Sequence, residues 1–246
     1  MALMPSQSEK FSRWHIFETV DAVAQHVAEW LCALASARDG EFAICLSGGS
    51  TPRRLYQLLA NPTFASRIPW SRIHWFWGDE RFVPHDDPAS NYRMAYDALF
   101  SCVPISKERL HPIPTEGLSP QQAAASYQAL LQRFYGDEQL DQDRPIFDVT
   151  LLGVGEDGHT ASLFPGSLAL LEDRHWVLAV IGKASTARIT LTYPALNSSR
   201  NLAFLVTGSS KKDVLAEIRA GSTAPAARVR PIGSLDWFVD RAAIPG

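Results

Sequence analysis

Cysteine is scarce in this sequence and carries no pattern. Cys32, Cys45 and Cys102 form no C-x-x-C pair, and an odd count closes no disulfide framework. Cys45 lies inside an apolar run and reads as a small core residue. Long hydrophobic runs are also missing: no stretch approaches the roughly 20 apolar residues of a membrane-spanning helix. The first ten residues, Met1 to Lys10, are polar and lack the apolar centre of a signal peptide. These absences lead us to expect a soluble protein of the reducing cytoplasm. Nor is there a surplus of positive charge. Lysine and arginine total 23 against 26 acids, a formal net charge of −3, which leaves no electrostatic footprint for nucleic acid. An anionic ligand would need a local basic pocket. No H-E-x-x-H, paired histidine or cysteine–histidine spacing points to a metal, and none is expected.

What is present is a β/α alternation. Val20, Val23, Val27, Trp30 or Leu31, and Leu34 recur at helical steps, and Gly40 stands just beyond that helix. Phe42–Leu46 is a short continuous apolar run, the pattern of a strand buried on both faces. A second helix is expected to open at Pro52 behind Thr51 and to run through Leu59. Further strands are expected at Ile73–Trp77, Phe147–Leu152, Trp176–Ile181, Arg188–Tyr193 and Leu202–Val206. Further helices are expected at about Asn91–Phe100, Gln121–Tyr135 and Lys211–Arg219. The region Asp137–Arg144 reads as a solvated acidic loop. Such alternation predicts an α/β fold: an open, mostly parallel, doubly wound sheet flanked by helices. At 246 residues the chain can bury a full core as one domain, spanning residues 11–246, with residues 1–10 loosely attached.

Four polar motifs follow apolar strands, and in open α/β sheets ligands bind beyond the strands' carboxyl ends. The motifs therefore should converge on one crevice. Ser47-Gly48-Gly49-Ser50-Thr51 resembles an anion cradle, with backbone N–H groups, hydroxyls and the positive end of a helix. It matches neither the G-x-x-x-x-G-K-[ST] nucleotide loop nor G-x-G-x-x-G, nor the G-x-S-x-G serine elbow, so a small phosphomonoester fits best. Gly78-Asp79-Glu80-Arg81 reads as a turn that supplies Arg81 as a planar cation, with Ser90-Asn91 nearby as a helix cap and a candidate ligand amide. Gly153–Asp157 follows the third strand candidate with two glycines and two acids and leads to His159, a setting for a general base. Thr207-Gly208-Ser209-Ser210 introduces Lys211 at a helix start, where a bound anion would relieve an unfavourable cation. Lys183 and Arg188 are further cations near strand ends. His15, His26, His74, His85, His111 and His175 lack comparable settings and read as structural or exposed.

The segments Ser47–Pro52, Gly78–Pro84, Asp157–Gly166, Arg188–Thr192 with Lys183 upstream, and Trp237–Ala243 together resemble the 6-phosphogluconolactonase family, within the glucosamine-6-phosphate isomerase superfamily. That resemblance spans nearly the whole chain. It implies a cofactor-free carboxylic ester hydrolase that converts 6-phospho-D-glucono-1,5-lactone to 6-phospho-D-gluconate in the oxidative pentose phosphate pathway. On this reading the catalytic set is His159 as base, Asp157 as its orienting partner and Arg81 as oxyanion stabiliser. The substrate set is Ser47, Gly48, Gly49, Ser50, Thr51, Asp79, Asn91, Lys183, Arg188 and Lys211, and Arg81 and the other cations could exchange roles. The expected partner is the phosphosugar lactone alone, without nucleic acid or membrane, on a monomer. Two rival readings are a glucosamine-6-phosphate isomerase/deaminase and a non-catalytic sugar-phosphate sensor. The deaminase's active-site glutamate has no counterpart in Ser162-Leu163-Phe164-Pro165, and Arg81 stands where that group carries tyrosine. Asp79 matches the deaminase's proton-abstracting aspartate, which leaves its role open.

Overall fold

The computed structural model describes residues 12–181 and 186–244. Both the segment 1–10 and Lys183 lie outside the described residues. Ten strands occur among them: β1 Ser12–Phe17, β2 Phe42–Leu46, β3 Ile73–Trp77, β4 Asp79–Arg81, β5 Leu110–His111, β6 Phe147–Leu152, β7 Val177–Val180, β8 Arg188–Leu191, β9 Ser199–Val206 and β10 Ser234–Asp240. Seven α-helices accompany them: α1 Val20–Ser36, α2 Ser50–Leu59, α3 Pro62–Ala65, α4 Asn91–Ala98, α5 Pro120–Tyr135, α6 Tyr193–Asn197 and α7 Lys212–Arg219. None is long and apolar enough to cross a membrane.

Seven strands form a parallel sheet in the order β1-β10-β9-β6-β2-β3-β5. From β2 the chain builds outward through β3 to β5. From β6 it builds the other way, through β9 to β10. The boundary between β2 and β6 is therefore the switch point of the sheet, where two successive loops diverge and leave a crevice. Every residue of β2 and β6 is buried, which explains the unbroken apolar run of β2 and the apolar character of β6, whose Asp148 and Thr150 are buried with hydrogen-bond partners.

Helices cover both faces. Phe238 of β10 meets Trp30 and His26 of α1, whereas its neighbour Trp237 stacks on Trp14 from the opposite face, beside Arg219 of α7. Likewise Trp77 packs toward Tyr92 of α4 while Phe76 packs on Phe134 of α5. Local signals set the helix ends. Ser119 and Gln122 form a capping box at α5, and Gly136 closes it at φ 82°.

Several sequence expectations need correction. The Gly78–Arg81 motif is not a simple turn. Asp79–Arg81 is a short strand that leaves the main sheet and pairs antiparallel with β8, which pairs in turn with β7. The runs at 176–181 and 188–193 thus supply strands for a second, three-stranded sheet, not for the parallel one. Gly78 is the joint: its N–H donates to Leu46 of β2 (2.9 Å) and its carbonyl accepts from Leu191 of β8 (2.8 Å). Helix α2 begins at Ser50 behind Gly49, whose φ of 106° favours glycine, so Thr51 is not its cap. Pro52 then occupies the third helical position, where an N–H would lack an intrahelical partner anyway. Helix α4 stops at Ala98, two residues before Phe100.

At the β5 edge, His74 Nδ1 and His111 Nε2 share one proton across 2.8 Å. Burial, then the charges of His74 and Arg109, pushes His111 down to about 4. An unfolded histidine protonates near about 6.5. Between those values the unfolded chain binds more protons than the native one, so stability must fall as pH falls through that window. Thermal unfolding should therefore show a Tm that drops from pH 7 to pH 5, with a shallower slope in His111→Phe. Identical slopes would refute this assignment.

Candidate active site

The switch-point loop after β2 and the loop after β6 face each other across a cleft of about 260 Å³. Its lining includes Ser47, Gly48, Gly49, Ser50, Thr51, Asp79, Arg81, Asn91, His159, Arg188 and Lys211. All four polar motifs therefore converge, as strand-end geometry requires. Asp157 is the exception among the described candidates: it does not line the cleft but holds His159 from behind. Leu205, Val206 and Thr207 complete the wall, and Thr207 Oγ1 lies 2.7 Å from Thr51 Oγ1, joining the β9 loop to the β2 loop.

The histidine loop is tightly wound. Gly155 N–H donates to the carbonyl of His159, and Gly158 N–H donates to that of Gly155. Gly158 has φ 80°, and a β-carbon there would lie 2.7 Å from Ala224 Cβ. A β-carbon on Gly155 would lie 2.0 Å from His159 Nδ1, so the imidazole rests where any larger residue would displace it. The His159 ring is held on its other side by Phe164, at a centroid distance of 4.6 Å. Asp157 Oδ1 sits 2.5 Å from Nδ1 and also accepts the His159 backbone N–H at 3.1 Å. Partial burial works to raise the Asp157 carboxyl, but these bonds from His159 outweigh it and hold it below the usual range. A carboxylate on Nδ1 fixes the proton there and leaves Nε2 with its lone pair.

Opposite stands a pair of cations. Arg81 and Arg188 are directly cross-strand in the β4–β8 register. Like charges at such positions repel. Burial, then Arg81 itself, lowers Arg188 from its ordinary value. Arg81 Nη1 donates to the Ala89 carbonyl at 2.6 Å, yet the Nε–H groups of both arginines are buried without a partner. Neither arginine forms a salt bridge among the described residues. Two buried guanidinium Nε–H groups without partners in residues lining one cleft are donors suited to an anion.

Buried acids brace this arrangement. Glu80, 1% exposed, accepts from the backbone N–H groups of Arg81, Asn91 and Tyr92 and from the Ser90 hydroxyl. Burial pushes its carboxyl up against those four bonds. It thereby fixes both the strand carrying Arg81 and the start of α4. Asp79 accepts from Ser162 Oγ at 2.7 Å on one oxygen and from Asn91 Nδ2 at 3.2 Å on the other. Ser162 N–H in turn reaches Thr190 Oγ1 on β8 at 3.1 Å. Ser162, Thr190 and Glu80 escaped the sequence reading because nothing in their spacing distinguishes a buried bracing polar group from an ordinary one. The histidines read as structural do lie elsewhere: His15 on Asp236, His85 on the Ile113 carbonyl.

Comparison with known proteins agrees with this geometry. Residues 17–237 match the family described as glucosamine-6-phosphate isomerases/6-phosphogluconolactonase. The chain belongs to that family. Among family members, the 6-phosphogluconolactonase of Nostoc sp. is 42% identical over 213 residues, covering 85% of this chain and 86% of the relative. That of Synechocystis sp. is 43% identical over 215 residues, with the same coverage. The crystal structure of 6-phosphogluconolactonase from Thermotoga maritima superposes with a TM-score of 0.79 at 31% identity, over 94% of this chain and 100% of that one. A monomeric glucosamine-6-phosphate deaminase also superposes with a TM-score of 0.79, but at 19% identity it shares only the fold. The scaffold is thus common to both branches of the family, and the identity lies on the lactonase side.

Removing the Ser162 hydroxyl strips one of two hydrogen bonds from a buried carboxylate. Ser162→Ala should therefore destabilise the fold by about 1–3 kcal/mol, read from denaturant unfolding. An unchanged midpoint would show that Asp79 is satisfied without it.

Proposed function

We propose that this chain hydrolyses 6-phospho-D-glucono-1,5-lactone to 6-phospho-D-gluconate, with His159 as general base. The observation that carries this reading is the His159–Asp157 pair sharing one cleft with two arginines whose buried Nε–H groups have no partner. An ester carbonyl placed between them meets both of its needs, a proton acceptor for water and cations for the developing oxyanion.

On this mechanism Nε2 of His159 removes a proton from water as its oxygen bonds to the lactone carbon C1. The imidazolium formed is stabilised by Asp157. The C1 oxygen gains negative charge opposite Arg81. Collapse restores the C1 carbonyl, breaks the bond to the ring oxygen O5, and returns the proton from His159 to O5. The new acid then ionises and releases its proton to solvent. Neither a redox step nor a group carrier is needed. The Ser47–Thr51 loop with Lys211 would hold the phosphate at the start of α2, where N–H groups and the helix end favour an anion. Arg188, which also lines the cleft, is a further candidate for the phosphate. Binding the remote phosphate positions the ring for attack. All of these groups belong to one chain, so the reading works for a monomer.

Two experiments test it. Lactone disappearance, with spontaneous hydrolysis subtracted and no added metal, should be strongly accelerated by the wild type, and His159→Ala should lose roughly 10²–10⁴-fold in kcat. A folded wild type without activity would remove the lactonase reading and favour the deaminase or sensor alternatives. The division of cations is tested separately. Arg81→Ala should lower kcat by about 10²–10³-fold, whereas Lys211→Ala should mainly raise KM. The reverse pattern would exchange their roles.

A further inference from the structure

Asn91 lines the cleft with its amide in a single orientation. Its Nδ2 donates to the Asp79 carbonyl at 2.9 Å and to Asp79 Oδ1 at 3.2 Å. A carboxylate and a carbonyl only accept, so the –NH₂ end must face Asp79 and the amide cannot flip. The other Asp79 oxygen is held by Ser162 Oγ at 2.7 Å, which stops the carboxylate from rotating to release it. The remaining atom, Asn91 Oδ1, projects over Gly48, where a β-carbon would lie only 2.0 Å from it. It accepts no hydrogen bond from any described residue. Asn91 as a whole is only 3% exposed, so this acceptor is largely desolvated before any ligand arrives.

We propose that Asn91 Oδ1 is a specificity-determining acceptor that reads one ring hydroxyl of the substrate, with Asp79 as the positioning residue that locks its orientation. This deepens the lactonase reading and rests on it. An acceptor repels phosphate oxygens, so Asn91, a candidate ligand amide in the sequence, is assigned to the sugar ring. Both Asp79 oxygens accept hydrogen bonds from side chains, one from Ser162 and one from Asn91. Gly48 leaves the room in which the amide oxygen and the ring can meet. A hydroxyl is the group that fits: the 2-, 3- and 4-hydroxyls of the lactone are donors of the right class, and the carbonyl, ring oxygen and phosphate are not.

The test compares the parent lactone with its 2-, 3- and 4-deoxy analogues, each generated in situ, for wild type, Asn91→Ala and Asn91→Ser. Asn91→Ser keeps a small polar residue at the first position of α4 should the alanine variant fold poorly. For the wild type, one deoxylactone should show a kcat/KM lower by about tenfold or more, the cost of leaving a buried acceptor unpaired. The variants should lose a similar factor on the parent lactone and show little discrimination against that same analogue. Equal wild-type rates on all three analogues would overturn the proposal. So would a variant that loses the same factor on every substrate, since that is the signature of a merely structural residue. A wild type inactive on the parent lactone would instead sink the underlying functional reading, an outcome distinct from either.

Discussion

The site depends on the hydrogen bond from Ser162 to Asp79. His159 is carried by a loop of the seven-stranded sheet, and the cross-strand arginines are carried by the separate three-stranded sheet. Nothing in the pairing of either sheet sets the distance between them. Gly78 hinges the two by bonding to β2 and β8 at once, and Ser162 then ties the histidine loop to β4 and β8 through Asp79 and Thr190. Because these contacts are buried, they form a rigid bridge: an unsatisfied polar group in such a place costs more than a formed bond contributes. The geometry between His159 and Arg81 is thus inherited from a polar core beneath the cleft.

Charge in this protein is organised locally. The chain as a whole is slightly acidic, yet Arg81, Arg188 and Lys211 all line one cleft. Bringing two guanidinium groups cross-strand costs stability through mutual repulsion and desolvation. Glu80 offsets part of this cost by anchoring the backbone of Arg81. Preorganised cations of this kind stabilise a developing charge without reorganising when it appears.

Much of the fold is legible from the sequence because β2 and β6 are buried on both faces and are mainly apolar. Helix α1 likewise shows its period. What escaped was hidden by specific physical causes. The outer strand pair is one case. Strand β1 exposes part of its surface, and β10 carries Asp236, 1% exposed and bonded to Arg13, His15 and Ser234. A buried acid satisfied by residues 221 and 223 positions away breaks the local pattern that marks a strand. Strands β7 and β8 were visible as apolar runs, but their placement was not, since sheet membership is decided by the partner at Asp79–Arg81 and not by the runs themselves. The site shows the same division. The candidate ligand residues that line the cleft cluster in motifs at strand ends, where a local pattern marks them. Those that aim them, Glu80, Ser162 and Thr190, have no local signature, because each acts through a contact distant in sequence.

This division explains how one scaffold can serve more than one chemistry. The cleft at the β2–β6 switch point follows from strand order alone, and so does the anion-favouring start of α2. Both features belong to any chain with this topology, which accounts for a deaminase structure superposing as well as a lactonase one. Fold therefore supplies the place and the phosphate handle, and the reaction is chosen by what the other loops present there. In this chain the choice is made at three points. Gly155 leaves room for an imidazole oriented by Asp157, the β4–β8 register sets two arginines opposite it, and Ser162 occupies Asp79 with a hydrogen bond that holds it in a positioning role. Both Asp79 oxygens thus accept from side chains of the core, whereas Asp157 on Nδ1 leaves Nε2 of His159 with its lone pair, and that difference supports the hydrolytic reading more than the shared fold does.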